Sequence, residues 1–376
     1  MTLTQWEDGD VRVVGFGTYD SSRHPRIGVL LEGFRESGDE VVEIVAPLGI
    51  STSQRVELLQ RPWLIYRLVF RVARCWFSLI RQRMQRRGLA TADVVIVGYM
   101  GHFDVLLARV LFPRQTVVLD QLLFASDTAS DRGESGAIKM VLLRLLDRLA
   151  GAVANLVMVD TEENIALLPL RQRPKAVVVP VGASSTWRRA RRRFEESRPD
   201  EAVKVIFYGL YTPLQGAATI GEAMGLLAHR DDISFTMIGS GQDFDVTQRR
   251  ALANPHVKWL SWTPANELVK LVSEHDVCLG IFGSTPKARR VIPNKVYQGA
   301  SVGCAVVTSA TEPQRRAFGE ALIFVEPDDA RGLARALGEL ADDRRRAPSY
   351  ALRSADWSDE HYAPLTLAEI LRQRLD

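Results

Sequence analysis

At 376 residues the chain exceeds what one hydrophobic core usually organises, so two domains are expected. With 46% hydrophobic and 25% charged residues the composition is that of an ordinary globular protein, which excludes disordered and fibrous classes. The net charge of +3 is small for this length, and the basic residues are clustered rather than spread.

Met1 to Asp10 is polar and acidic and lacks the apolar core of a secretory signal, and no uninterrupted apolar run reaches the roughly 18 residues of a spanning helix. Cys75, Cys278 and Cys304 lie far apart without CxxC spacing, so neither a disulfide framework nor a zinc site is suggested. The expected location is the reducing cytoplasm.

Short apolar runs bounded by Gly, Pro or Asp alternate with segments of helical periodicity, the pattern of parallel sheets flanked by helices. The first half predicts strands at Val11–Phe16, Val41–Val45, Val94–Val97, Thr116–Leu119, Leu156–Val159 and Ala176–Val179. The second half predicts them at Val203–Tyr208, Ile233–Ile238, Val257–Leu260, Val277–Ile281, Ala305–Thr308 and Leu322–Val325. Between the halves, 187–201 is Arg-rich without apolar periodicity and reads as a solvated linker. The expected domains are 1–186 on the acceptor side and 202–356 for the nucleotide sugar, with a terminal helix, 357–376, packing back on the first domain. The apolar stripe of that helix would be Leu365, Leu367, Ile370, Leu371 and Leu375.

Ligands of open parallel sheets bind beyond the carboxyl ends of the strands, so the residues there are the candidates. Gly15 and Gly17 close the first strand and permit close approach of a ligand, or simply form a tight turn. Arg61 to Arg87 carries eight Arg and no acids among many apolar residues, a basic amphipathic helix. It suits an anionic membrane interface, or else packs one face on the sheet while its arginines reach solvent. No nucleic-acid motif accompanies it. His102 follows the glycine-rich Gly98–Gly101 turn as a possible proton-transfer group. Asp120 either projects from a strand end or begins the next helix, the reading favoured for Asp131.

In the second half, Gly209 and Gln215 follow one strand, and Gly239 and Gly241 another. Asp243-Phe244-Asp245 is a D-x-D placed away from the phosphate loop, so no metal is expected there. The richest segment, FGSTPKARRVIPNKVYQGASVG, carries Lys287, Arg289 and Arg290 before Asn294, Lys295 and Gln298. A basic loop leading into a helix start attracts anions; the alternative is a solvated loop with Asn294 as N-cap.

The stretches FYGLYTPLQG, MIGSGQ, VKWLSWTPANELVKLVSEHDVCLGIFG and VIPNKVYQGASVGCAVVTS resemble, in order and spacing, the donor domain of family 4 glycosyltransferases. The closest likeness is to a bacterial subgroup with Pro-Leu-Gln-Gly and Pro-Asn-Lys motifs. GYMGHFDVLLARVLF, LDRL, VMVDTEEN and VVVPVGA extend the likeness into the first half.

The resemblance implies an α/β B-type fold, two Rossmann-like parallel-sheet domains facing a central cleft. It further implies a retaining, metal-independent transfer from a nucleoside-diphosphate sugar to a hydroxyl acceptor, lipid-linked or a small natural product, without a cofactor. Donor contacts would come from Gly15, Gly17, Gly209, Gln215, Gly239, Gly241, Trp262, Lys287, Arg289, Asn294, Lys295 and Gln298. Asp120, His102 and Arg290 would be catalytic. Two family carboxylates are replaced here, by Gln298 at the ribose position and by Arg290 eight residues earlier. The rival readings are an epimerase of the same fold and a silent sugar-nucleotide-binding module.

Overall fold

The computed structural model describes residues 11–21, 24–49, 65–86, 92–131, 136–191 and 201–375. The chain divides into two compact units, Met1–Val159 with Ile165–Val179 and Ala368–Asp376, and Asp160–Asn164 with Pro180–Leu367. Each is built on one parallel sheet of six strands.

The first sheet comprises β1 (Arg12–Gly17), β2 (Glu40–Val45), β3 (Val94–Val97), β4 (Thr116–Asp120), β5 (Leu156–Val159) and β6 (Ala176–Val178), in the order β2-β1-β3-β4-β5-β6. Helices cover such sheets, so an inner strand such as β3 is continuously apolar rather than alternating, and Val94 to Val97 are all buried. The Pro25–Glu36 helix after β1 starts on a proline, whose missing N–H costs nothing in a first turn. It buries Ile27, Leu30, Leu31 and Phe34 on one face.

The second sheet comprises β7 (Val203–Tyr208), β8 (Ile233–Ile238), β9 (Val257–Leu260), β10 (Val277–Leu279), β11 (Ala305–Ser309) and β12 (Ile323–Val325). Its order, β9-β8-β7-β10-β11-β12, reverses direction at β7 and β10. The connections on either side of that reversal leave in opposite directions, which opens a crevice at the carboxyl ends of these two strands. Phe207, Met237, Leu279, Phe282 and Val307 form the core beneath it.

Three details differ from the sequence reading. Trp187, expected in a solvated linker, lies in the Ser185–Arg189 helix, is buried, and stacks on Tyr208 with ring planes 12° apart. Burying its large apolar area outweighs the arginines beside it, which stay towards the surface. Residues 192–200 of that linker lie outside the described residues. The boundary at 356/357 falls inside the Arg346–His361 helix, which ends just before Pro364, a residue unable to continue it. A second helix, Pro364–Arg372, follows, burying Leu367 and Leu371 but leaving Leu365 exposed.

Candidate functional site

The crevice between β7 and β10 is shaped by glycines that let backbones touch. A Cβ on Gly216, at φ +65°, would stand 2.5 Å from the Gly283 nitrogen, and the Phe282 N–H donates to the Gln215 carbonyl at 3.0 Å. The turns after β7 and β10 are thereby stitched together. Gly209, at φ +144°, leaves room beside Lys295, whose Nζ would lie 3.3 Å from any Cβ there.

Lys295 is the chemical centre of this arrangement. The Asn294–Ser301 helix buries it, and its Nζ donates to Gln215 Oε1 at 2.6 Å and sits 3.7 Å from the centre of the Phe207 ring. Burial pushes its pKa down to about 7. The group is thus poised at neutrality between ammonium and amine. Its neighbours are an amide, a ring and the Cys278 thiol, which burial pushes up to about 12, so among the described residues no carboxylate neutralises it. An ammonium so placed gains most from an incoming anion.

Gln298, one turn further on, accepts the Tyr208 hydroxyl at 3.1 Å and is itself buried. Asn294 is the first helical residue, and Pro293 rather than Asn294 occupies the N-cap position, because the residue at a cap must keep extended backbone and Pro293 does so at ψ 151°. In the preceding loop Thr285 Oγ1 accepts from the Ala288 N–H at 3.1 Å. Lys287 and Arg290 are half-buried and Arg289 is exposed, with Nε donating to the Ser284 carbonyl at 3.3 Å. Arg290 offers its carbonyl to Thr161 Oγ1 at 2.6 Å.

Gly239 and Gly241 have an internal reason to be glycine. A Cβ on Gly239 would strike the Gly209 carbonyl, and one on Gly241 the Tyr211 carbonyl. Trp262 stands 74% exposed beyond β9, two strands from β7. Among the described residues no group of His, Cys, Asp or Glu is arranged to hold a metal ion, and burial raises the Asp243 carboxyl of the D-x-D.

In the first unit the expected residues make contacts within the fold. Gly15 makes room for Tyr19 and Leu31, and Gly17 faces Asp104, whose Oδ2 accepts both the Thr18 N–H and Oγ1–H at 2.7 Å. Asp120 is buried against Arg26, with Nη1 3.0 Å from Oδ1, while Arg26 Nη2 donates to the carbonyls of Val159 and Val179. This arginine ties the ends of three strands. His102 is buried with Nε2 2.9 Å from Asp147 Oδ1 and 3.0 Å from the Gln121 side-chain nitrogen. Asp147 also accepts the N–H groups of Ala125 and Ser126 and the Ser126 hydroxyl. Burial alone would raise this carboxyl, yet those hydrogen bonds hold it below the usual range.

Residues 202–343 match the family model described as Glycosyl transferases group 1. No curated protein matches the chain in sequence. Among solved structures the chain is similar to HepE of Anabaena, solved in complex with UDP, at 10% identity over 97% of this chain and 99% of that one, with a TM-score of 0.64. It is also similar to sucrose-phosphate synthase of Thermosynechococcus elongatus, at 11% identity over 96% and 98%, with a TM-score of 0.69. A glycosyltransferase of Rickettsia africae gives 13% identity over 97% of each chain and a TM-score of 0.60. These likenesses establish the α/β fold of B-type glycosyltransferases.

Within the second unit, sequence reasoning found Lys295 and Gln215 but not that they are bonded. It missed Phe207 and Tyr208, whose signal was their place at the end of the strand nearest the reversal. Asp120 was visible at a strand end, but its pairing with Arg26, 94 positions earlier, carried no local mark.

Proposed function

We propose that the protein transfers a sugar, with retention of anomeric configuration and without a bound metal, from a nucleoside-diphosphate sugar to a hydroxyl acceptor. The observation that carries this reading is the buried Lys295, held by Gln215 at the crevice of the segment that matches the group 1 family model, without a counter-anion among the described residues. A departing diphosphate is the anion the reaction develops, and a preorganised ammonium there stabilises it more in the transition state than in the ground state. In this reading Lys295 supplies the positive charge that a metal would otherwise bring, with Lys287, Arg289 and Arg290 in the adjoining loop. Gln298 and Tyr208 would meet the ribose, and Gly209 the diphosphate backbone. The compartment proposed is the cytoplasm, where Cys75, Cys278 and Cys304 remain thiols.

Asp120 and His102 enter this proposal as positioning residues rather than as acid or base, since Arg26 and Asp147 already engage them. The test is calorimetric titration with the diphosphates of uridine, guanosine, thymidine and adenosine. One should bind, and its sugar should be released slowly without acceptor. HepE, solved with UDP-glucose, makes the uridine series the first to try. Binding of none overturns the reading, interconversion of the sugar supports an epimerase, and binding without any release supports a silent module.

A further inference from the structure

Helix Ala137–Val153 is packed inside out. The residues it buries are Asp147, Ala150 and Gly151, while Ile138, Val141, Leu142, Leu145 and Leu149 are exposed, Ile138 by 80%. Asp147 faces inward because His102 and the Ala125–Ser126 turn bind it, and Gly151 because Gln172 lies against it. The Asp104–Leu111 helix lies against it, exposing Leu106 and Val110, and also touches the Ile65–Gln85 helix. That third helix exposes Tyr66, Val69, Phe70, Phe77 and Met84. The apolar surface of the three helices has no cover among the described residues, and water around it is unfavourable by roughly 25 cal/mol per Å².

Charge decides what the surface suits. The three helices carry Arg67, Arg71, Arg74, Arg81, Arg83, Arg109, Lys139, Arg144 and Arg148 against two acids, Asp104 and Asp147. Both acids are turned inward: Asp104 accepts from Thr18 and from Trp76 Nε1, and Asp147 from His102 and Ser126. The exposed face is therefore apolar and of one sign. A second copy would bring like charge to like charge, whereas an anionic bilayer offers both hydrocarbon and counter-charge.

We propose that these three helices together form a docking surface for an anionic lipid bilayer, with Ala137–Val153 as its apolar centre. The surface itself stands on exposure and charge alone. That it brings the domain to a lipid-carried alcohol as acceptor rests on the transferase reading above.

The full chain should be spun with vesicles of phosphatidylcholine alone and of phosphatidylcholine with about a third phosphatidylglycerol. Sedimentation with the second only, reduced as salt rises, is the result expected. Arg144→Gln with Arg148→Gln should weaken it at least tenfold, about fivefold for each arginine. Leu142→Asp with Leu145→Asp should abolish it while leaving the unfolding temperature and nucleotide binding unchanged. Protein left in the supernatant with both vesicles, or a dimer in solution that Leu142→Asp breaks apart, would overturn the proposal. Nucleotide binding measured on the same preparations separates that failure from failure of the transferase reading.

Discussion

Lys295 Nζ and Gln215 Oε1 lie 2.6 Å apart, although 80 residues separate them in the chain, and their bond joins the turn after β7 to the helix after β10. It holds a buried cation at the reversal point of the sheet, at a cost that the unliganded fold alone does not recover.

Lys295→Met should therefore separate function from stability. Without the ammonium, affinity for the nucleoside diphosphate should fall about 10- to 150-fold, the worth of a charge-assisted hydrogen bond of roughly 1.5–3 kcal/mol. The unliganded protein should become more stable, by roughly 1–2 kcal/mol, because a desolvated charge is replaced by an apolar side chain of similar length. Calorimetric titration and urea unfolding on one preparation read both. A variant that binds as tightly as the parent would remove Lys295 from the site.

The pH dependence has a definite sign. In the unliganded fold Lys295 titrates near 7, below its ordinary value of about 10.4, so between those limits the unfolded chain holds a proton the native state has released. This group's contribution to stability therefore rises with pH across that window, and Lys295→Met should flatten it. Binding of an intact nucleoside-diphosphate sugar, whose diphosphate does not titrate near neutrality, should take up a proton. Its affinity should hold steady below about pH 7 and decline towards tenfold per unit above it.

Asp120→Asn tests whether that carboxylate is structural. Arg26 would keep its charge with no anion beside it, and breaking a buried pair on one side costs about 3–5 kcal/mol. Denaturant unfolding should show the loss. Intact stability with abolished turnover would instead return Asp120 to the chemistry.

Asp147→Ala should remove the acceptor shared by His102, Ser126 and the Ala125 amide and lower stability by about 2–3 kcal/mol at neutral pH. The carboxyl is held below its ordinary value near 4, so its contribution is present above that value and lost as pH falls through the native one. The gap between parent and variant should close in acid, a trend that thermal unfolding from pH 7 to pH 3 would follow.

The fold was legible because parallel sheets write themselves locally. Runs such as Val94–Val97 and Val203–Tyr208 are continuously apolar and bounded by turn residues, and β3 and β7 occupy those very spans. Register across the sheet is then set by neighbours of the same kind. The site was legible only as separate pieces. Gly209, Gln215 and Lys295 each advertised themselves by type and by position after a strand, but the bond among them depends on which strands are adjacent, and β7 and β10 are far apart in sequence. The glycines are ambiguous for the same reason: Gly239 looks equally suited to a ligand's approach and to the Gly209 carbonyl it meets. The pairing of Arg26 with Asp120 was hidden altogether, since a charged residue in a sequence shows neither its burial nor its partner.

The return of Ala368–Asp376 to the first unit has a consequence for the order in which the molecule is made. Asp39 is enclosed in that unit and paired with Arg372, 333 positions later. While the ribosome is still building the second sheet, the first unit carries an enclosed carboxylate whose cation has not yet been synthesised. Loop closure over such a distance is slow, so the first unit can collapse early but reaches its final stability only when Arg372 emerges. Completion of the first unit is thus a late event, and chains broken off before Arg372 would carry the defect at Asp39.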